Sequence, residues 1–248
     1  MTIRNTAIIS GKASIGSNVS IGDFTIIFDN VVIGDNVSIQ SHCLIGQPTS
    51  LSDGMPLVIG NDSLIRSHSI FYEGSSFGSQ LMTGHRVTVR EKIEAGENLI
   101  IGTHCDLQGN SVIGDYVRLY TGAQINHKSN IDDFVRIYQY SVLTNDPHPP
   151  SNLEVGVKIH KYAVIAAMCC ILPGVIIGEK ALVGAYSLVK SDVEPETVVA
   201  GVPAKYICKT SEIKLKDGSN QPAYPWMRHF HRGYPEEITE EWMSMYGA

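Results

Sequence analysis

The sequence predicts an all-β fold, a parallel solenoid of hexapeptide repeats, from three observations. Eight isoleucines occupy residues 3, 9, 15, 21, 27, 33, 39 and 45, a period of six that neither a helix (about 3.6) nor a strand (about 2) produces. The position four residues after each of the first seven holds Ala7, Ala13, Val19, Thr25, Val31, Val37 and Cys43, all small or β-branched. The same spacing then returns twice in new phases, from Ile59 to Leu143 and from Ile159 to Val189. Two inward sites per hexapeptide and three hexapeptides per triangular coil give a repeat that stacks by parallel pairing at about 4.8 Å.

The two breaks in phase span 14 and 16 residues, neither a multiple of six. Residues 46–58 and 144–158 therefore leave the stack as extruded loops. Both are rich in Pro, Gly, Ser and Asp, as turns require. Long ordered loops on a rigid scaffold carry function more often than not. Inward sites weaken to Thr83 and Ala95 near the polar run TGHRVTVREK.

The repeat domain is expected to cover residues 1–205. Residues 206–248 lose the period and form a second unit: a strand and turn at IKLKDGSN, an aromatic, His-rich stretch, and a terminal helix after Pro235. Ile238, Trp242 and Met245 are expected to share one helix face. This segment is read as a cap on the last coil or on a neighbouring subunit. The alternative is a tail that lines a cleft with Trp226, His229 and His231.

With 248 residues, 43% of them hydrophobic, the chain can bury one continuous core. A net charge of -6 without a Lys/Arg run argues against nucleic acid as a partner. The first residues carry no apolar run suited to a signal peptide or membrane span, so a cytoplasmic location with no membrane partner is expected. Cys43, Cys105 and Cys169 fall on small inward positions and are read as buried thiols. Cys169 and Cys170 are adjacent and no CxxC occurs, so no metal site is expected.

The repeat, the run ILPGVIIGEKALVGAYSLVKSDV and the closing VVAGVPAK resemble the hexapeptide acyltransferase superfamily, over about 200 residues. The resemblance implies a left-handed parallel β-helix, a homotrimer, and acetyl-coenzyme A as acyl donor in the groove between subunits. It places the backbone of Gly184 and Ala185 beside the pantetheine arm, Lys190 and Lys205 near the phosphates, and Ala166 and Ala167 on a matching stretch. Tyr186 stands where glycine is usual. The stretch from Ile125 to Ile137, with Asn126 and His127, is similar to that of nucleotide-linked amino-sugar acetyltransferases, in which the histidine is the proposed base. Two residues depart from that pattern, Lys128 after the histidine and Asp132 in place of glycine.

Acyl transfer from a thioester needs a base for the nucleophile and donors for the oxyanion. His127 is the first candidate base and His85 the second, with a reaction needing no protein base as a third reading. The two histidines lie 42 residues apart, two coils and one hexapeptide, hence on different corners of one subunit, and neighbouring subunits of a trimer would bring them into one cleft. Glu91, Gly109, His127 and Asn145 recur at 18-residue steps in one column, with Gly109 expected to leave open space beneath His127. Arg90 and Glu91 are candidates for substrate, the arginine suited to a diphosphate, against a solvated pair on opposite sides of a strand. Asn145 and Asp146 of the second loop are candidates for holding the acceptor amine. His42, His68 and His104 fall at solvated corners, His68 and His104 stacking with Arg86 between them.

The function expected from these readings is acetyl-coenzyme A dependent N-acetylation of a nucleotide-linked amino sugar in surface polysaccharide or glycan assembly. Sugar O-acetylation is its nearest variant, and a non-catalytic assembly subunit is a further alternative. A γ-class carbonic anhydrase needs two histidines five apart, and none are.

Overall fold

The structure, a computed structural model, describes residues 2–246. Isoleucine at every sixth residue turns the chain through three short strands per coil. The result is a left-handed parallel β-helix of about 11 turns with three faces of 12, 10 and 9 strands. The first face starts at Thr2–Ile3, the second at Ile8–Ile9 and the third at Ser14–Ile15. The inward residues pair with themselves: Ile3 with Ile21, Ile9 with Ile27, Ile15 with Ile33. They form one uninterrupted core from Val19 to Val199. Each fully buried Ile, Leu or Phe contributes about 1.5–3 kcal/mol of transfer free energy, which carries a fold whose strands are mostly two residues long.

Both loops leave where the phase breaks. Ile33 pairs with Ile59 and Ile131 with Ile159, so the loops add 8 and 10 residues to an 18-residue coil (26 and 28 residues between partners). The first loop is fastened by Glu73, whose Oε1 accepts from the Thr49 N–H at 3.1 Å and the Ser52 hydroxyl at 2.9 Å. The weak inward Thr83 is fully buried and satisfied, its hydroxyl accepting from the Arg66 N–H at 2.9 Å. Cys43, Cys105 and Cys169 are buried core thiols, and burial pushes Cys105 up to about 11.

Parallel pairing ends at Thr197–Gly201, and Ala204–Lys209 returns antiparallel to it. The remaining chain folds back along the third-to-first corner. There Tyr116, Phe134 and Tyr162 stack coil on coil, with centroids 5.0 Å apart at each step. Trp242 meets Phe134 edge-on at 5.4 Å. Arg118 and Arg136, nearly buried on adjacent strands, hold this segment: Arg118 donates to the Gly233 carbonyl at 2.9 Å and Arg136 to the Tyr234 hydroxyl at 2.8 Å. Arg136 also lies over the rings of Phe230 and Trp226, at 4.5 and 5.1 Å.

The helix Glu236–Tyr246 follows Pro235, and Trp242 is its anchor. Met245 is not on the buried face; it is 61% exposed. Packing of Trp242 into the aromatic stack rotates the helix so that Thr239 and Tyr246 flank it instead, leaving Met245 about 60° away on the side turned from the stack. His229 and His231 each place Nε2 on a carbonyl of the same segment, Pro222 at 2.9 Å and Met227 at 2.8 Å. Trp226 is buried in the stack. All three serve the packing of the segment on the solenoid.

Candidate active site

The second loop builds the site around His127. The strand Gln124–Ile125 ends at the second-to-third corner, and Asn126 and His127 turn outward there. The chain leaves the next coil at Asn145 and returns at Lys158–Ile159. On its way back, the Val155 N–H donates to the Asn145 carbonyl at 2.8 Å. Gly156 presses on the corner below: a Cβ there would lie 1.7 Å from the Lys128 carbonyl oxygen. These two contacts set Glu154 beside His127, with Oε1 3.5 Å from Nδ1, while Lys128 Nζ lies 3.7 Å from Oε2. Gln108, Asn126, His127, Asn145 and Glu154 line a polar cavity of about 400 Å³.

The arrangement has definite chemical capacity. With Glu154 Oε1 near Nδ1, the other ring nitrogen of His127 is left free to exchange a proton with a molecule in the cavity. Asn126 and Asn145 line the same space, and their side-chain amides are groups able to donate to a developing oxyanion.

Other expected site residues lie elsewhere. Arg90 and Glu91 do not face opposite sides; they pair with each other, Nε to Oε2 and Nη2 to Oε1, both at 3.1 Å. Glu91 is only 3% exposed, and Arg90 lies over the Tyr72 ring at 5.1 Å. The Glu91 carboxylate is thus engaged inside the chain. Gly109 does not owe its identity to open space. Its φ is +107°, and an added Cβ would lie 2.5 Å from the Glu91 carbonyl oxygen. Asp146 organises its own loop, accepting from the Ser151 hydroxyl at 2.6 Å and from the N–H groups of His148 and Ser151 at 2.9 Å. The Ser151 hydrogen bond holds its carboxyl below the usual range.

His85 stands on the first-to-second corner, its Nδ1 2.9 Å from the Ser67 hydroxyl. Below it on that corner Phe24, His42 and His68 stack at 5.0 and 4.9 Å. Ala166, Ala167, Gly184 and Ala185 share the same corner further up, at successive coils. Lys205 lies beyond them, on the strand that pairs Ala200 with Lys205. Lys190 follows Leu188–Val189 and sits at the other end of the second face. Tyr186, 65% exposed, projects beside Ala185.

Two features escaped the sequence reading. Glu154 carried no signal, because its position depends on the path of the loop. The pair of Asp132 and His160 did: the third-to-first corner is glycine at Gly16, Gly34, Gly60, Gly78, Gly96, Gly114 and Gly178, and between Gly16 and Gly178 only these two consecutive coils break the column. His160 Nδ1 lies 2.9 Å from Asp132 Oδ2. Among the described residues no group of three His, Cys, Asp or Glu side chains is placed to hold a metal ion, and no helix is long and apolar enough to cross a membrane.

Known proteins carry the same architecture. The family described as bacterial transferase hexapeptide (six repeats) matches residues 2–47. The chain is 41% identical over 71 residues to dTDP-4-amino-4,6-dideoxy-D-glucose acyltransferase of Escherichia coli, covering 28% of this chain and 37% of that one. It is 42% identical over 74 residues to 2,3,4,5-tetrahydropyridine-2,6-dicarboxylate N-acetyltransferase of Staphylococcus aureus (strain bovine RF122 / ET3-1), covering 30% of each. The matches thus span about a third of the length of these curated relatives.

Among solved structures, an Arabidopsis UDP-N-acetylglucosamine acyltransferase superposes with a TM-score of 0.70 at 18% identity, over 84% of this chain and 74% of that one. A UDP-N-acetylglucosamine acyltransferase from Bacteroides fragilis 9343 gives 0.53 at 20% identity, over 99% and 85%. At such identities the likeness shows the fold. From its period, its three-faced parallel stack and these matches, the chain is a hexapeptide-repeat β-helix protein that resembles the hexapeptide acyltransferases.

Proposed function

We propose that the protein is an acyltransferase that moves an acetyl group from acetyl-coenzyme A to an amine on a nucleotide-linked sugar, with His127 as the base. The observation that carries this reading is the His127 imidazole in the lining of an open polar cavity, with Glu154 Oε1 3.5 Å from its Nδ1. The short resemblance to an amino-sugar acyltransferase supports the acceptor class.

In this mechanism the acceptor nitrogen attacks the thioester carbonyl carbon as His127 Nε2 takes one of its protons. The oxyanion is met by side-chain amides of Asn126 and Asn145. Collapse breaks the C–S bond, and the imidazolium returns the proton to the departing thiolate. Glu154 stabilises the imidazolium between these two transfers. The small residues Ala166, Ala167, Gly184 and Ala185 leave room along one corner for the pantetheine arm, with Lys205 nearby for its phosphates. Lys190 would meet the coenzyme only from across the second face.

The active assembly we propose is a homotrimer, with the coenzyme corner of one subunit facing the His127 corner of another. Rotation about a threefold axis parallel to the solenoid leaves heights unchanged. His85 lies two and one-third coils below His127, about 11 Å, so it belongs to the far end of such a cleft and not to a dyad with His127. There it suits the nucleotide part of the substrate.

The test is thiol release from acetyl-coenzyme A with nucleotide-linked amino sugars and their hydroxyl counterparts. Release that depends on the amine is expected, and His127→Ala should lower kcat by about 10²-fold or more. Near wild-type turnover in that variant would remove His127 from the mechanism.

A further inference from the structure

The outward column of the second face is apolar at Leu44 and Ile70, turns polar at Thr88, Asp106 and Gln124, and becomes apolar again at Val142. The polar interval lies beside the His127 cavity, and Gln108 joins the two. Its Nε2 donates to Asp106 Oδ2, and its side chain lines the cavity. An ionised carboxylate only accepts hydrogen bonds, so this contact fixes which way the amide faces. With the NH₂ on Asp106, the carbonyl oxygen Oε1 is the end left for the cavity. The other carboxylate oxygen, Asp106 Oδ1, is buried and has no hydrogen-bond partner among the described residues. A buried carboxylate oxygen without a donor is a cost that packing alone does not justify.

We propose that Gln108 selects an amine over a hydroxyl as the acceptor, and that Asp106 is the positioning residue that sets its amide. The inference rests on His127 being the base. A neutral amine carries two N–H groups. As its lone pair forms the C–N bond, one proton passes to His127 Nε2 and the other N–H donates to Gln108 Oε1. When the C–S bond breaks and the thiolate takes the proton from His127, the product amide keeps that second N–H on Gln108. A hydroxyl has a single proton, which the base removes, and Gln108 Oε1 is then left facing an oxygen without a donor. A site acceptor left unpaired discriminates by about tenfold or more.

The experiment compares kcat/KM for a matched pair of nucleotide sugars, one with an amine and one with a hydroxyl at the same carbon, in wild type and variants. Wild type is expected to favour the amine by at least about tenfold. Gln108→Leu should remove most of that preference by lowering the amine rate, with KM for acetyl-coenzyme A unchanged. Asp106→Leu, which frees the amide to turn, should act in the same direction. Asp106→Asn keeps an acceptor for Nε2 and should restore part of the preference, which a purely structural role would not require. Should Gln108→Leu fail to fold, Gln108→Asn, too short to span Asp106 and the cavity, serves in its place. An active wild type without amine preference, or variants that keep it, would overturn the proposal while leaving His127 intact. If the wild type released no thiol with any acceptor, the acyltransferase reading would fail and this proposal with it.

Discussion

Asp132 and His160 meet at 2.9 Å in the one corner column that is otherwise glycine, and they sit on the coils immediately before and after the 144–158 loop. His127 meets Glu154, from within that loop, at 3.5 Å. The loop is therefore fastened at its base by one histidine–carboxylate pair and at the cavity by another. The shorter contact is on a corner remote from the cavity, so distance alone does not rank the two histidines.

His160→Asn is expected to lower stability by about 1 kcal/mol, the value of one partly exposed charge-assisted hydrogen bond, and to leave kcat within about threefold. His127→Ala should do the reverse, costing about 10²-fold in kcat with little change in Tm. Thermal melts and thiol-release assays on the two variants separate the roles. Equal losses of kcat would show that His160 takes part in the chemistry.

Gly156→Ala introduces a Cβ 1.7 Å from the Lys128 carbonyl oxygen, too close for any adjustment short of moving the loop. Displacement carries Glu154 away from His127. The variant should lose turnover by about the same factor as Glu154→Gln, on the order of tenfold. Combining the two changes should then add little, since both remove the same contact. Full additivity would place the effect of Gly156 elsewhere.

Arg136 is almost fully buried, bonded to the Tyr234 hydroxyl and covered by Phe230 and Trp226. A lysine keeps the charge but not the flat, stackable guanidinium. Arg136→Lys should cost about 2 kcal/mol, felt as faster proteolysis and amide exchange in residues 206–246 while exchange in the solenoid stays slow. Uniform loosening of both would show that the segment and the coils unfold together.

Burial raises the thiols of Cys43, Cys105 and Cys169 above their ordinary range, Cys105 to about 11. The folded protein at pH 8 should react with a thiol reagent mainly at Cys208, and all five cysteines should react after denaturation. Because these folded values are raised, their contribution to stability is complete below the ordinary thiol range and is lost as pH rises towards the folded values. Stability followed from pH 8 to pH 11 should accordingly fall, and a flat profile would count against the assigned burial.

Much of this was written in the chain. Isoleucine at every sixth residue specifies the coil because its side chain has one place to go, and the 14- and 16-residue gaps locate both loops. His127 was singled out in the sequence by its resemblance-bearing Asn126-His127 pair, and the structure puts both residues in the lining of one cavity. Glu154 was not, since it reaches His127 only through the bond from Val155 to Asn145 and the contact of Gly156 with Lys128. Simple alternation put Arg90 and Glu91 on opposite sides of a strand, yet they turn to each other because the corner bends the chain between them. Asp132 was noticed as a departure from glycine, and only the next coil shows that His160 answers it.

Because every coil adds the same height, the solenoid acts as a ruler graduated in single steps of about 4.8 Å. The span between His127 and the Gly184 corner can change only by whole graduations, whatever the sequence in between. Point substitutions can therefore change the side chains at either mark, but changing the height between the marks requires gaining or losing a complete coil.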